Sequence, residues 1–241
     1  MKKLLSAVSV LTVLCLILAA VPFSASAAEQ KINATEVTIY AVDSVYQDAL
    51  TIPDDCPQSF TFTVSGAESV SCYSYSNLTV TGTTVSPYED TWYWYSDGYG
   101  YSRPQEGKTL VGITRKVSYG KKSATVVADG VSYNVTVNVV DYAEEYARKT
   151  ARDYLDANIK SGMTTEQKLN VIAKFVADRE YSTQYSAFVP MVVFGNGDCW
   201  ASTFTVIELS KMIGLDAWVR NGNRDSMAGS GHKNAMVYDG K

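Results

Sequence analysis

"SATVVADGVSYNVTVNVVDYAEEYARKT", residues 123–150, contains the change of pattern that decides the fold. Before residue 141 apolar and polar side chains alternate, as in a half-buried β-strand, and the residues predicted to share one face are Val131, Tyr133, Val135, Val137 and Val139. The Asp129-Gly130 dipeptide between the two runs predicts a two-residue hairpin turn. From Asp141 the apolar period becomes helical. The stretch therefore predicts that a β-rich part ends and a helical part begins near residue 141.

The residues before this stretch also predict β-structure. Short segments such as "EVTIYAV", "SFTFTV" and "LTVTG" combine β-branched and aromatic residues and are separated by turn signals. Several short strands of this kind predict an all-β sandwich of immunoglobulin-like type over residues 28–141. Their order in the sheets does not follow from the sequence.

The residues after it predict helices with identifiable ends. Apolar residues at helical spacing are Ala143, Tyr146, Ala147, Ala151, Tyr154, Leu155 and Ile159. Asp141 with Glu144 resembles a capping box at the start, and Gly162 suits the C-terminal stop. A second capping box, Thr164 with Gln167, predicts the next helix.

A third helix is predicted by "CWASTFTVIELSKMIG", residues 199–214, after a loop that contains Pro190. It is apolar on most sides, which is typical of a helix buried by its neighbours, and Gly214 ends it. "LDAWVRNG" and "HKNAMVYDGK" then predict strands. Residues 142–241 are thus expected to form an α+β domain, with helices first and strands after.

The N-terminus predicts export. Lys2 and Lys3 precede an apolar run over residues 4–21, and Ala25-Ser26-Ala27 resembles a cleavage site, so residues 1–27 are predicted to be a signal peptide. We expect a secreted protein, extracellular or associated with the cell wall, and no membrane contact after cleavage. Removing two of 21 basic residues leaves 19 against 25 acidic ones, a net charge of about −6, which disfavours nucleic acid as a partner because phosphate binding needs basic patches.

Three cysteines remain after the signal peptide: Cys56, Cys72 and Cys199. In an oxidising compartment the close pair Cys56 and Cys72 is a candidate disulfide, worth about 3 kcal/mol for a loop of that size. Cys199 is then the odd thiol. The alternative is that all three are small buried apolar residues.

"GNGDCWASTF", residues 195–204, places Cys199 on the first turn of the predicted third helix. Backbone N–H groups and the positive end of the helix dipole favour a thiolate there. Asp198, the expected N-cap, opposes it because its charge repels a neighbouring thiolate. Cys199 is nevertheless a candidate nucleophile.

The chain has a single histidine, His232, in "GSGHKNAMV". A thiolate–imidazole pair can attack a carbonyl carbon and pass the acyl group to water or to an amine. The alternative is a solvated loop histidine. One cysteine and one histidine do not provide the three or four ligands that zinc requires, and we expect no metal or organic cofactor.

These residues together resemble the transglutaminase-like (papain-like thiol) superfamily. The matching features are Gly197-Asp198-Cys199, "SKMIGLDAWVRNG", Gly231-His232 and the upstream helix "EQKLNVIAKFVADREY", within residues 143–241. The resemblance implies acyl transfer on protein or peptide amide bonds, as a peptidase, an amidase or a cross-linking enzyme. It makes Cys199 the nucleophile and His232 the general base and acid.

The family pattern also has an aspartate on the strand after the histidine strand. Asp239 in "YDGK" is predicted to be a turn residue rather than that aspartate. The orienting acid is expected beyond Lys241, so the domain is expected to be incomplete at its C-terminus, because ending in mid-hairpin would leave an unpaired sheet edge.

"YEDTWYWYSDGYGYSR", residues 88–103, is unusually rich in aromatic rings. As a strand it places Trp92 and Trp94 on one face, and Ser96-Asp97-Gly98 would turn the chain back. The favoured interpretation is a hairpin whose tryptophan face belongs to the core. The alternative is an exposed platform, Trp92–Tyr101, that stacks on cell-wall glycans or peptides. That alternative underlies a second functional hypothesis, a non-catalytic binding or structural module at the cell surface.

Overall fold

The computed structural model describes residues 29–221 and 232–238, and in them the chain has a mixed, strand-rich α+β fold. Residues 1–27 and Asp239 lie outside the described residues. The regular secondary structure described before residue 142 consists of β-strands and one 3₁₀ turn over Ser44–Tyr46. Its strands are β1 Lys31–Ile32, β2 Glu36–Ala41, β3 Phe60–Thr61, β4 Val64–Ser65, β5 Val70–Tyr73, β6 Leu78–Thr81, β7 Thr84–Pro87, β8 Glu89–Tyr95, β9 Gly100–Tyr101, β10 Leu110–Val117, β11 Gly120–Ala128 and β12 Val131–Asp141.

The part after residue 141 combines helices with short strands. Its elements are α1 Tyr142–Asn158, α2 Thr165–Ala177, β13 Glu180–Tyr181, α3 Phe188–Phe194, β14 Asn196–Gly197, α4 Cys199–Met212, β15 Ala217–Asn221 and β16 Lys233–Val237. Within the described ranges, no helix is both long and apolar enough to cross a membrane.

The β-part is built on a four-stranded sheet in the order β2-β12-β11-β5. β2 runs parallel to β12, whereas the other pairs are antiparallel. Smaller sheets, β3-β7-β6 and β10-β8-β9, complete the β-part. The apolar core between the layers contains Ile39, Val85, Val126, Val137 and Val139, each at most 1% exposed.

The predicted hairpin is confirmed. Ala128 pairs with Val131 across the turn, and Asp129 and Gly130 both have positive φ, 47° and 83°, as the favoured two-residue turn requires. The predicted buried face of β12 is buried from Val135 onward, but Val131 is exposed. The immunoglobulin-like class and the domain division near residue 141 stay predictions.

Side-chain caps start the helices where the sequence predicts. Asp141 Oδ1 accepts from the backbone N–H groups of Ala143 (2.9 Å) and Glu144 (3.3 Å) at the start of α1. The predicted reciprocal bond is not made, because the Glu144 carboxylate instead accepts from Arg148. At α2 both bonds of the capping box between Thr164 and Gln167 are present, at 2.8 and 3.2 Å.

Two helix predictions are wrong in detail. α1 ends at Asn158, short of Gly162, because Ile159 turns into an extended conformation and packs against the helical core. The loop expected around Pro190 contains α3, where the proline lies in the first turn and its missing N–H breaks no helical hydrogen bond.

An apolar cluster joins the β-part to the helices. Its buried members are Val42, Leu50 and Ala143, and the ring of Tyr46 packs against them. Tyr46 also stacks on Phe194 at the end of α3, with ring centroids 5.6 Å apart. The two parts therefore share a packed apolar contact.

The candidate disulfide does not form, and all three described cysteines are free. Cys56 precedes Pro57, whose carbonyl accepts from the Tyr40 N–H on β2 at 2.8 Å, whereas Cys72 lies on β5 at the opposite edge of the same sheet. Three strand spacings separate these edges, roughly 14 Å, and a disulfide needs Cα atoms closer than about 7 Å.

The aromatic hairpin forms, but its buried ring is not a tryptophan. β8 pairs with β9 through Tyr93 with Tyr101 and Trp94 with Gly100, so the predicted turn is confirmed. Tyr95 is the buried ring, at 4% exposure, and its hydroxyl accepts from the Gln105 N–H. Trp94 is 36% exposed, which makes the predicted tryptophan core wrong. The ring that is buried in the core, Tyr95, therefore lies on the opposite face of β8 from Trp94.

Candidate active site

The start of α4 is held by the short strand before it. β14 pairs in parallel with β13, and the Ser182 N–H donates to the carbonyl of Gly197 at 3.0 Å. The Asp198 N–H donates to the carbonyl of Tyr185 at 2.9 Å. The backbone on both sides of Gly197 is thus fixed immediately before Cys199.

Gly197 is a glycine because the first turn of α4 folds onto it. A Cβ at this position would lie 2.5 Å from the Cβ of Ala201, and Ala201 is fully buried. Contacts that close force a shift of the backbone. Close packing against Ala201 therefore explains why the first position of the Gly-Asp-Cys motif is a glycine.

Asp198 is the N-cap of α4, as the sequence predicts. Its Oδ1 accepts from the N–H groups of Trp200 (2.8 Å) and Ala201 (2.9 Å), and its Oδ2 accepts from the Ser186 hydroxyl at 2.5 Å. These two helix N–H groups are therefore engaged by the carboxylate and not by the thiol of Cys199. The cap fixes where the helix begins and so where the thiol lies.

Cys199 and His232 line the same cleft, which has a volume of about 400 Å³. The thiol side belongs to the first turns of α4 and the imidazole side to the chain entering β16. The lining residues are Tyr181, Cys199, Ser202, Thr203, Val206, His232, Lys233, Asn234 and Ala235. The structure thus brings together both residues that the sequence selects, and both are partly exposed to solvent.

The β15–β16 hairpin carries His232 to this position. Asn221, the last residue of β15, pairs with Lys233, the first residue of β16, and the Lys233 ammonium donates to Asn221 Oδ1. The same ammonium lies 4.5 Å from the ring centroid of Trp200, the residue after Cys199. This contact links the start of β16 to the start of α4.

Tyr181 is a lining residue that sequence reasoning missed. It belongs to β13, whose pairing with Gly197 in β14 brings it beside the start of α4, and its side chain is 74% exposed. A two-residue strand has no periodic pattern in the sequence. The position of Tyr181 therefore depends on its pairing with Gly197, which the sequence alone does not predict.

A larger cleft, of about 490 Å³, lies on the β-part between Tyr40 and Glu89. It is lined by neither a cysteine nor a histidine. In the ranges that the structure describes, no group of three or more histidine, cysteine, aspartate or glutamate side chains is arranged to hold a metal ion. The described lining of the Cys199 cleft includes no carboxylate.

No protein-family model and no curated protein matches this chain. One solved structure that does match is described as "Crystal structure of a TGase"; it is 14% identical, with a TM-score of 0.34. The match covers 51% of this chain and 43% of that one, so the chain spans less than half of its length. This is a weak likeness, too low in TM-score to establish a common fold.

Proposed function

We propose that the cleft carries out thiol-dependent acyl transfer on amide bonds of proteins or peptides, with Cys199 as nucleophile and His232 as general base and acid. One observation supports this above all others. The side chains of Cys199 and His232, which are distant in sequence, line one cleft that is open to solvent. This chemistry needs the base to come within hydrogen-bond reach of the nucleophile, and a shared accessible cleft allows that approach.

The reaction follows from the properties of the two groups. Imidazole takes the thiol proton, the sulfur attacks the amide carbonyl carbon, and a C–S bond forms. The C–N bond then breaks as the imidazolium gives its proton to the departing amine, which leaves a thioester. Water or a second amine next loses a proton to the imidazole and attacks the thioester carbon. The C–S bond breaks, and the sulfur regains a proton from the imidazolium.

We also propose the setting of this chemistry: a secreted protein in which an immunoglobulin-like domain, residues 28–141, precedes a transglutaminase-like domain, residues 142–241. The passage from β12 to α1 at Asp141 supports this division, since the run of consecutive strands ends and the first α-helix begins there. Hydrolysis and cross-linking differ only in the acceptor that enters the cleft.

Acyl-enzyme trapping tests the proposal. The full chain is incubated with the p-nitrophenyl ester of a blocked amino acid, and the adduct is located by peptide mass spectrometry. We expect one thioester, at Cys199, that is released by water or added amine. Adducts distributed equally over Cys56, Cys72 and Cys199 would overturn the proposal.

Two variants complete the test. Cys199→Ala is expected to eliminate the adduct, and His232→Ala to slow its formation by about 10²-fold, the lower end of general-base contributions. Met236→Ala, which removes an exposed side chain of β16 outside the described cleft lining, is the matched control and is expected to retain acylation.

A second candidate function is a non-catalytic binding module for cell-wall glycans or peptides. It is favoured by exposed rings on the β8–β9 hairpin: Trp94 is 36% and Tyr99 65% exposed. Trp94 is also oriented, since its indole N–H donates to the Thr114 hydroxyl at 2.8 Å and its ring packs against Gly100. Co-sedimentation with purified cell walls tests this function. Loss of binding in Trp94→Ala but not in Cys199→Ala would support it, and equal binding by Trp94→Ala and the parent would exclude it.

A further inference from the structure

Lys233 directly follows His232 and lines the proposed active-site cleft. Within the described part of the chain its ammonium contacts the Trp200 ring, at 4.5 Å, and the Asn221 amide oxygen. Lysine side chains on open surfaces are usually free to rotate, and fixing one costs rotamer entropy. Both contacts hold this ammonium beside the start of α4, where Cys199 lies.

The two groups that hold the Lys233 ammonium carry no charge. An indole ring attracts a cation through its quadrupole, and an amide oxygen accepts a hydrogen bond, but neither neutralises it. Among the described residues the basic partners in ion pairs are Lys108, Arg115, Lys121, Arg148, Lys149 and Lys174. Lys233 is thus not paired with a carboxylate there.

The rest of the described lining adds no opposing charge. Besides His232 and Lys233 it consists of hydroxyl, amide, thiol and apolar side chains. A positive charge that no carboxylate of the described residues neutralises, beside a partly apolar surface, attracts anions and raises their local concentration. The cleft is therefore biased toward negatively charged partners although the whole chain is acidic.

We infer that Lys233 is a specificity-determining residue that selects acidic peptide segments, with a carboxylate next to the amide bond that Cys199 attacks. This inference rests on the proposed function. The carboxylate of the substrate completes the ion pair that Lys233 lacks in the described structure. Substrates with a lysine or arginine at that place are rejected by like-charge repulsion.

The electrostatic part can be measured without turnover. Iodoacetate and iodoacetamide alkylate a thiol with reagents of similar size, one anionic and one neutral. The rate of Cys199 alkylation by iodoacetate is divided by the rate with iodoacetamide. This ratio, divided by the same ratio for N-acetylcysteine, reports the local charge. Because the Asp198 carboxylate beside Cys199 acts on the anionic reagent in parent and variant alike, the change between them isolates Lys233, and we expect this normalised ratio to fall roughly fivefold in Lys233→Met, as for a single charge near the surface.

Matched variants separate Lys233 from the overall charge of the chain. Lys211→Met removes an exposed lysine near the C-terminal end of α4, outside the cleft lining, and is expected to leave the ratio unchanged. Lys233→Glu is expected to lower the ratio further than Lys233→Met does. Equal ratios in the parent, Lys233→Met and Lys233→Glu would overturn the inference.

Paired peptides then test substrate choice. Two blocked peptide p-nitrophenyl esters that differ only in one residue, glutamate or lysine, next to the reacting carbonyl are compared for acylation of Cys199. The parent is expected to prefer the glutamate ester, and Lys233→Glu the lysine ester. No acylation by either ester would count against the proposed function, whereas equal acylation by both would count against the inference alone.

Discussion

Lys233 holds its ammonium over the indole ring of Trp200, 4.5 Å from the ring centroid. These two residues directly follow His232 and Cys199 in the chain. One contact between the start of β16 and the start of α4 therefore joins the two elements that carry the proposed base and nucleophile. The local Asp198 cap fixes the position of Cys199 at the start of α4, whereas the approach of His232 to it depends on tertiary packing of β16 on α4.

Gly197→Ala is expected to destabilise the protein by about 1–3 kcal/mol, the usual cost of inserting a methyl group into a packed site. The added Cβ would meet Ala201 at 2.5 Å and displace the first turn of α4. Urea denaturation measures the change. Gly112→Ala, where an added Cβ meets nothing within 4 Å, is the matched control, and equal losses in the two variants would contradict the packing argument.

Asp198→Asn separates the effect of the N-cap hydrogen bonds on stability from the effect of the Asp198 charge on Cys199. Asparagine still accepts hydrogen bonds as an N-cap, so stability is expected to change by less than about 0.5 kcal/mol, whereas Asp198→Ala is expected to lose about 1 kcal/mol or more. Removing the charge takes away repulsion of a Cys199 thiolate. Iodoacetamide is therefore expected to alkylate Asp198→Asn faster than the parent, by about threefold. Slower alkylation in a stable Asp198→Asn would show that the carboxylate supports the thiolate.

Tyr46 is expected to make folding sensitive to alkaline pH. Burial, followed by the carboxylates of Asp141 and Asp43, raises the pKa of Tyr46 from 10.0 to about 12. Because the folded state holds this proton more tightly, the stabilisation is complete below pH 10 and is lost as pH rises from about 10 to 12. Unfolding free energies at pH 8 and pH 11 are expected to differ less in Tyr46→Phe than in the parent. Tyr75→Phe, at a side chain that is 94% exposed, is the control, and an unchanged difference in Tyr46→Phe would contradict the argument.

Cys56 and Cys72 are expected to remain as thiols under non-reducing conditions. Burial raises the pKa of both, and the carboxylates of Asp55 and Glu145 add to the shift at Cys56, so each has a smaller thiolate fraction at neutral pH than an ordinary cysteine. Denaturation without a reductant, followed by labelling and peptide mapping, is expected to modify both. A Cys56–Cys72 cross-linked peptide would contradict the sheet order.

Features that depend on local sequence could be predicted. Asp141, Thr164 and Asp198 each cap a helix whose start follows from hydrogen bonds to N–H groups two or three residues away. The Asp129-Gly130 turn is likewise determined by the backbone preferences of its own residues. A local signal of this kind needs no knowledge of the rest of the fold.

Features that depend on contacts between residues distant in sequence could not be predicted. The parallel pairing of β2 with β12 joins residues about a hundred positions apart, and this sheet order is what separates Cys56 from Cys72. The burial of Tyr95 in place of a tryptophan depends on which face of β8 meets the core. That Cys199 and His232 line one cleft could be predicted only through a family resemblance, because no periodic pattern relates two such distant residues.

The most direct test of the account is the rate of Cys199 alkylation by iodoacetamide at neutral pH, in the parent and in His232→Ala. Cys56 and Cys72, followed in the same digest, serve as internal controls. We predict that Cys199 in the parent reacts at least about tenfold faster than either control and than N-acetylcysteine, because a neighbouring base can accept the thiol proton as the sulfur attacks, and that His232→Ala removes most of this difference. Equal rates at the three cysteines, or a fast Cys199 that is indifferent to His232→Ala, would contradict the proposed Cys–His pair.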